Sequence, residues 1–108
     1  MTPGQALISL PPAARPGEIV EVRVLIAHPM ETGLRSNDAG QTVPRHIIRE
    51  VVIEYAGAEV MRVELSPAIT ANPYLGVFLR AGPSGPVVCR WIDDRGHEAR
   101  AQALLRVS

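Results

Sequence analysis

The feature of this sequence that most constrains its fold is the alternation of apolar and polar residues in short segments bounded by proline and glycine. In the segment EIVEVRVLIAH, residues 18–28, valine or isoleucine occupies every second position from Val20 to Ile26, with Glu21 and Arg23 between them. A period of two places such residues on one face of a β-strand. The segment therefore predicts a half-buried strand whose even-numbered residues face the core.

The same pattern predicts further strands along the chain. The segments ALISL, HIIREVVIEY, EVMRVEL, YLGVFLR and PVVCRWIDD each suit a short strand, and turn sequences such as GPSG separate them. The last segment, HEARAQALLRVS, contains helix-forming residues, but the DDRG turn before it favours a strand that pairs back on residues 87–93. About seven strands without a helix predict an all-β, immunoglobulin-like antiparallel two-sheet β-sandwich, with residues 1–108 forming a single domain.

Apolar residues also occur at positions expected to face solvent. Leu25, Ala27, Val52 and Val88 are out of phase with the predicted core positions of their strands. Scattered apolar side chains are ordinary at a protein surface, whereas a cluster of them marks an interface. Both alternatives stay open at this point, and an uncovered interface could let the isolated chain form homo-oligomers.

Composition and charge disfavour several classes of partner. The 11 basic and 11 acidic residues cancel, and no run of like charge occurs, so neither nucleic acid nor an anionic membrane is expected to bind. No apolar run approaches the length that spans a bilayer, and the N-terminus lacks the basic and apolar regions of a secretory signal. We therefore expect a soluble chain without an export signal of its own.

The sequence contains no recognisable catalytic motif. A Gly-rich phosphate loop, a nucleophile elbow and a paired-carboxylate site are all missing, so we expect neither an enzyme nor a cofactor. Cys89 lies in mid-strand on the face of Val87 and Trp91, which favours a buried structural thiol over one that pairs with a partner. Asp93 and Asp94 adjoin a glycine turn, where aspartate usually bonds its own backbone.

The three histidines, His28, His46 and His97, raise the question of a metal site assembled across strands. The HPM sequence after a strand, in a small β-sandwich, is similar to the iron centre of superoxide reductases. That centre requires four histidines and one cysteine, whereas this sequence has three and one. Turn-capping or interfacial histidines are therefore favoured, and a metal-dependent redox domain of the superoxide-reductase type is kept as the alternative.

The longest connection, AHPMETGLRSNDAGQTVPRHI at residues 27–47, is too long for a hairpin turn and too rich in turn-forming residues for a helix. Long loops on rigid β-sandwiches usually bind something. Its two ends, together with two later segments, supply the motifs HPMETGLR, G…VPRHII, ANPYLGVFLRAGPSG and WIDDRG. In this order the four motifs resemble the SoxZ family, the Z subunit of the bacterial SoxYZ sulfur-oxidation carrier complex, from about residue 16 to the C-terminus.

The resemblance implies a non-catalytic, immunoglobulin-like subunit that forms a heterodimer with SoxY. SoxY carries thiosulfate-derived sulfur on a cysteine near the end of its C-terminal arm, and the complex docks transiently to other periplasmic sulfur-oxidation enzymes. This chain ends in ALLRVS, without the glycine-flanked cysteine of that arm, so it resembles the supporting subunit and not the carrier. The resemblance also implies periplasmic localisation through co-export with the partner.

The anchored ends of the long loop are the candidate contacts with that partner. His28, Arg35 and Arg45 could donate hydrogen bonds to an anionic sulfur adduct, or the two arginines could merely pair with Glu31 or Asp38 at the surface. An adaptor with an unrelated partner is a further alternative. The candidate interface or arm-presenting residues are His28, Pro29, Met30, Thr32, Gly33, Arg35, Pro44, Arg45 and Cys89.

Overall fold

The structure is a computed structural model that describes residues 4–66 and 71–108. The described residues form seven strands: β1 (Ala6–Ser9), β2 (Ile19–Ile26), β3 (Ile48–Tyr55), β4 (Ala58–Glu64), β5 (Tyr74–Arg80), β6 (Gly85–Asp93) and β7 (Glu98–Leu105). The predicted all-β architecture is confirmed, and the C-terminal segment is a strand, as the DDRG turn favoured. Within these two ranges, no helix has the length and apolar character needed to cross a membrane.

The strands form two antiparallel sheets, with the order β1-β2-β5 in one and β4-β3-β6-β7 in the other. A tight turn joins β3 to β4, and its two residues, Ala56 and Gly57, have φ angles of 50° and 85°. Positive φ at both central residues matches the right-handed twist of the paired strands. The predicted two-sheet sandwich is therefore confirmed.

The core lies between the two sheets and is built from alternate residues of each strand. In β2 the residues Val22, Val24 and Ile26 are fully buried, and in β6 so are Val87 and Cys89. Burial of a side chain of this size contributes about 1.5–3 kcal/mol. Because the side-chain period is two, a slip of one residue in either strand would move this whole set to solvent.

The outer face of the four-stranded sheet differs from the expectation for Val52 and Val88. These residues point away from the core but are only 4% and 9% exposed. The cross-strand neighbours of Val52 are Arg62 and Arg90, whose guanidinium groups pair with glutamates on the same face. Long arginine stems cover apolar surface while their heads stay in water. Val52 is thus not solvated. Val88, whose cross-strand neighbours are Glu54 and Gln102, and Ala27 are also buried, so these residues do not form an exposed patch.

The long connection between β2 and β3 folds back on itself as a narrow arm. Glu31 bridges His46 at its base, and Ser36 bridges Thr42 further out. The Asn37 side chain closes the tip by accepting two backbone N–H groups. The bridge at the base is what places His46 beside the end of β2.

Candidate functional site

Side chains from three separate segments meet at one end of the sandwich. His28 follows β2, His46 precedes β3, and Asp93 ends β6. One potential ligand atom of each lies within 4.8 Å of those of the other two, and the two imidazole rings meet edge to face with centroids 4.6 Å apart. The register that sets Ile48 opposite Asp93 brings these segments together. We call His28, His46 and Asp93 the histidine cluster.

His28 is held rigidly and is 5% exposed. Its N–H donates to Asn72 Oδ1 at 3.0 Å, and its carbonyl accepts the N–H of Asn72 at 2.8 Å. The ring Nδ1 accepts the N–H of Met30 at 3.0 Å, so the neutral ring carries its proton on Nε2. That buried Nε2 has no hydrogen-bond partner among the described residues. Burial, with a smaller contribution from His46, lowers the pKa of His28, so the ring is neutral at pH 7.

Asp93 is the acceptor at the centre of the cluster. Its Oδ2 accepts from His46 Nε2 at 2.8 Å, and its Oδ1 accepts the N–H groups of Arg95 and His97 at 2.9 Å each. Burial alone would raise the pKa of Asp93, but the hydrogen bonds from His46 and from the backbone of His97 and Arg95 outweigh it and lower the pKa to about 2. The expectation that this aspartate bonds its own turn is confirmed.

Two imidazoles and a carboxylate are a donor set that divalent metals use. Most of the potential ligand atoms are, however, already in hydrogen bonds within the chain. Nδ1 of His28 accepts a backbone N–H, and both oxygens of Asp93 accept hydrogen bonds. A metal bound through Nε2 of His28 would require a proton on Nδ1, directly against the N–H of Met30. The donor set therefore fits an internal network better than a resident metal.

Cys89 is wholly buried in the middle of β6. Burial raises the pKa of its thiol to about 12, so almost no thiolate exists at neutral pH. It precedes Asp93 by four positions in an extended strand, roughly 13 Å, which separates it from the histidine cluster. The buried thiol favoured by the sequence is confirmed, and in this chain the Cys89 side chain has no accessible surface.

The two residues after His28 take opposite positions. Pro29 is exposed, whereas Met30 is 4% exposed and has a φ of 49°, which is uncommon for residues other than glycine. The Met30 Sδ accepts the N–H of Ile48 at 3.2 Å. Met30 therefore connects the end of β2 to the start of β3 and presents almost no surface to a partner.

Thr32 and Gly33 shape the base of the arm. The Thr32 Oγ1 accepts the N–H of Leu34 at 3.1 Å, which turns the chain and leaves the Leu34 side chain 88% exposed. Gly33 has a φ of 86°, and a Cβ at this position would lie 3.2 Å from the Cβ of Arg45. Glycine is required here both for the positive φ angle and for the close approach of the outgoing segment of the arm to the returning segment at Arg45.

The two candidate arginines flank this base and are already paired. Arg35 binds Glu31 at 2.7 Å, and Arg45 binds Asp94 at 3.0 Å. Their side chains are nevertheless 59% and 56% exposed, so much of each guanidinium still faces water. The surface pairing considered from the sequence is present for Arg35, while Arg45 uses Asp94 and not a residue of its own loop. Pro44 beside it is exposed.

Sequence reasoning missed the parts of the site that depend on pairing between distant segments. The expectation that Asp93 bonds its own turn did not show that it also holds His46, and no sequence pattern showed that Asn72 holds His28. An aspartate at the end of a strand is a visible signal, but only the β3–β6 register shows which histidine it reaches.

Comparison with known proteins identifies a family and a fold. A family model described as sulphur oxidation protein SoxZ matches residues 8–103. Among curated proteins no match to this chain is found. The family match spans nearly the whole chain and agrees with the resemblance carried by the four sequence motifs.

Solved structures share the sandwich at low identity. A variant of the superoxide reductase (neelaredoxin) from Ignicoccus hospitalis is 18% identical with a TM-score of 0.74, over 97% of this chain and 81% of that one. The sulfur carrier protein SoxY from Chlorobium limicola f thiosulfatophilum is 18% identical with a TM-score of 0.69, over 100% of this chain and 86% of that one. A putative superoxide reductase from Thermotoga maritima is 17% identical with a TM-score of 0.71, over 95% and 85%. These likenesses establish the fold alone.

Proposed function

The chain belongs to the family of the sulphur oxidation protein SoxZ, and from that premise we propose that it is a non-catalytic subunit of a sulfur-oxidation carrier complex. Its partner is a SoxY-like chain that holds thiosulfate-derived sulfur on a cysteine arm. In this proposal the complex works in the periplasm, docks to the enzymes that process the bound sulfur, and is exported with the partner. The observation that carries the proposal is the family match over residues 8–103.

The chemistry of the described residues favours the role of a non-catalytic subunit over that of an enzyme. The thiol of Cys89 is buried with a pKa of about 12, and the carboxylate of Asp93 is occupied by three hydrogen bonds. The Nδ1 of His28 is occupied as well. A nucleophile or base must be free to reach a substrate, and each of these groups would first have to break a contact that holds the fold.

The base of the arm supports a contact with the partner's sulfur-bearing cysteine arm. Exposed ion pairs such as Arg35–Glu31 and Arg45–Asp94 contribute little stability. Each arginine can therefore exchange its carboxylate for another anion at little cost, and guanidinium groups suit planar or tetrahedral oxyanions. We assign Arg35 and Arg45 the task of holding the anionic end of the sulfur adduct.

Co-expression with a SoxY-like chain from the same organism tests the proposal. We expect a one-to-one heterodimer that stays intact through size-exclusion chromatography at micromolar concentration. Separate elution of the two folded chains would overturn the proposal and favour an adaptor with an unrelated partner.

The arginine assignment needs its own test within that complex. We expect the double variant Arg35→Ala, Arg45→Ala to form the heterodimer but to lower the yield or turnover of sulfur-loaded carrier, measured by mass spectrometry. The matched control is Arg106→Ala, an exposed arginine near the C-terminus. Equal loading in the double variant, the control and the wild type would remove the arginines from the mechanism and leave the heterodimer proposal intact.

A second candidate function is a metal-dependent redox domain. The chain shares its fold with superoxide reductases, and the histidine cluster contains the residue types of a metal site, although its hydrogen bonds fit an internal network better. Anaerobic incubation with ferrous iron followed by metal analysis separates the two candidates. One tightly held iron per chain that is lost in His28→Asn would favour the redox domain, whereas iron well below one per chain would dismiss it.

A further inference from the structure

The sandwich has four edge strands, and three of them are protected against pairing with another chain. Strand β1 has only four residues and is followed by Pro11 and Pro12. Strand β7 carries charged residues and contacts β1. Strand β4 carries Glu59, Arg62 and Glu64, and its pairing with β3 contains a bulge. Short length, charge, bulges and coverage are the usual devices that block edge-to-edge association.

Among the described residues, the fourth edge, β5, has none of these devices. It has seven residues, no proline and no acidic residue, and its register with β2 runs without a bulge. Its single charge, Arg80, lies at the end of the strand and donates to the carbonyl of Gly17 at 2.9 Å. A long, regular and nearly uncharged edge strand is the kind that accepts another strand.

Every second residue of β5 points its backbone N–H and C=O groups away from β2, toward the free edge of the sheet. The carbonyl of Pro73 accepts from Ile26 in β2, and both backbone groups of Ala81 bond to the segment that leads into β2. Since the hydrogen-bonding direction alternates along an antiparallel strand, odd-numbered residues of β5 face β2. The N–H and C=O groups of Tyr74, Gly76 and Phe78 therefore point to the free edge, where no strand or bridge of the described residues meets them.

The side chains of these three residues share the outer face of the sheet. Tyr74 and Phe78 are 61% and 69% exposed, although aromatic residues dominate buried interfaces. No atom lies within 4 Å of the position that a Cβ on Gly76 would occupy. The sequence YLGVF thus reads aromatic, aliphatic, glycine, aliphatic, aromatic, and it is symmetric about Gly76.

We propose that β5 is a self-association edge, to which β5 of a second copy of this chain adds in antiparallel orientation about a twofold axis at Gly76. In this register Gly76 faces its own counterpart, and each Tyr74 faces a Phe78 of the other copy. Directly opposed aromatic residues are among the favourable cross-strand pairs, and an interface about a twofold axis requires such self-complementarity. The two three-stranded sheets become one continuous sheet.

The size of the contact sets the strength of the association. Two partly exposed aromatic rings from each copy bury roughly 400–650 Å² together, and the strand pairing adds about six backbone hydrogen bonds. Stable interfaces bury about 1,200–2,000 Å². The dimer is therefore weak, with a dissociation constant of roughly tens to hundreds of micromolar, and its population rises with concentration.

Disulfide trapping tests both the contact and its register. Opposed residues of a hydrogen-bonded antiparallel pair have Cα atoms about 5.5 Å apart, within the range of a disulfide. We expect Gly76→Cys to form a cross-linked dimer under mild oxidation at least ten times faster than Tyr74→Cys. The two Tyr74 Cα atoms would be roughly 14 Å apart in this register. The native Cys89 is buried and does not compete. Equal rates for the two variants, or a faster Tyr74→Cys, would overturn the proposed register.

Sedimentation velocity from 1 to 300 µM, concentrations chosen to bracket the expected range, tests the association without a cross-link. We expect the wild type to shift from monomer to dimer and Gly76→Pro to stay monomeric, because proline removes an N–H that faces only the free edge. Phe78→Lys should raise the dissociation constant at least ten-fold, while Leu104→Lys, an exposed residue on β7, should not change it. A wild type that stays monomeric throughout, or dimerisation unchanged in Gly76→Pro and Phe78→Lys, would refute the self-association edge. Neither result bears on the proposed heterodimer, which its own co-purification tests.

Discussion

The histidine cluster and the outer side of β5 use their side chains in opposite ways. In the cluster the buried polar atoms are paired within the chain, with Nε2 of His28 as the exception among the described residues. On β5, two aromatic rings are mostly exposed and a row of backbone groups faces away from the sheet. The cluster holds separate segments of the fold together, whereas the exposed rings and backbone groups of β5 remain available to another chain.

This difference shows that a group of titratable residues does not by itself make a reactive site. The cluster contains the residue types of metal and acid–base chemistry, but Nδ1 of His28 and both carboxylate oxygens of Asp93 already accept hydrogen bonds from other groups of the chain. Strand β5 contains no such residue types, and yet its exposed edge is what another chain can recognise. Substitutions in the cluster are therefore expected to lower the free energy of unfolding, and substitutions on β5 to change association only.

The largest expected effect is that of Asp93→Ala. It removes the acceptor for His46 and for two backbone N–H groups, and buried donors left without a partner are costly, so we expect a loss of about 2–4 kcal/mol in the free energy of unfolding. Urea denaturation followed by circular dichroism measures it. The matched control, Phe78→Ala on β5, should change the value by less than about 0.5 kcal/mol. Similar losses of unfolding free energy in both variants would contradict the view that the cluster stabilises the fold and the outer side of β5 does not.

Met30→Leu tests the connection between β2 and β3. Leucine has a similar volume but cannot accept the N–H of Ile48, so a buried donor is left unpaired and we expect a loss of about 1–2 kcal/mol. Leu34→Ala on the exposed arm is the control and should be nearly neutral. A neutral Met30→Leu would mean that the sulfur contact contributes nothing.

The pH dependence of stability should follow His28. Its pKa is lower in the folded chain than its usual value of about 6.5, so the unfolded chain binds more protons between these two values. The contribution of His28 to the free energy of unfolding is therefore fully present above a pH of about 6.5, and it is lost as the pH drops toward the folded pKa. Asp93, with a folded pKa of about 2, adds a further loss below about pH 4.

Urea midpoints at pH values of about 7.5 and 5.5, on either side of the usual pKa of histidine, measure the first of these losses. His28→Asn keeps an acceptor for the N–H of Met30 but does not titrate, so its midpoint should drop less than that of the wild type. Phe78→Lys should show the full wild-type drop. An unchanged drop in His28→Asn would show that the titration of His28 does not cause the pH dependence.

The smallest expected effect is that of Arg35→Ala and Arg45→Ala on the stability of the isolated chain. Both ion pairs are exposed, and such pairs contribute from zero to about 1 kcal/mol. We expect each substitution to lower the free energy of unfolding by less than about 0.5 kcal/mol. A loss as large as that of Met30→Leu would make these arginines structural and weaken their assignment to the partner's arm.

Local patterns accounted for most of the fold. The alternation in residues 18–28 and the turn at Ala56-Gly57 each agree with the structure. The pattern failed at Val52, where a period of two assigns the correct outward face but cannot show that neighbouring arginine stems will cover it. It placed Cys89 on the inward face but could not show that the residue is wholly buried, since the depth of a strand within a sandwich depends on the opposing sheet.

The sequence by itself determined the strands, their inward faces and the membership of the SoxZ family, because these depend on residues close together in the chain or on motifs in a fixed order. Only the tertiary structure decided which distant residues meet. The pairing of β3 with β6 brought Asp93 to His46, and the order of the sheets made β5 an edge. Contacts across such distances are set by sheet register and order, which are properties of strand pairs that no single segment carries.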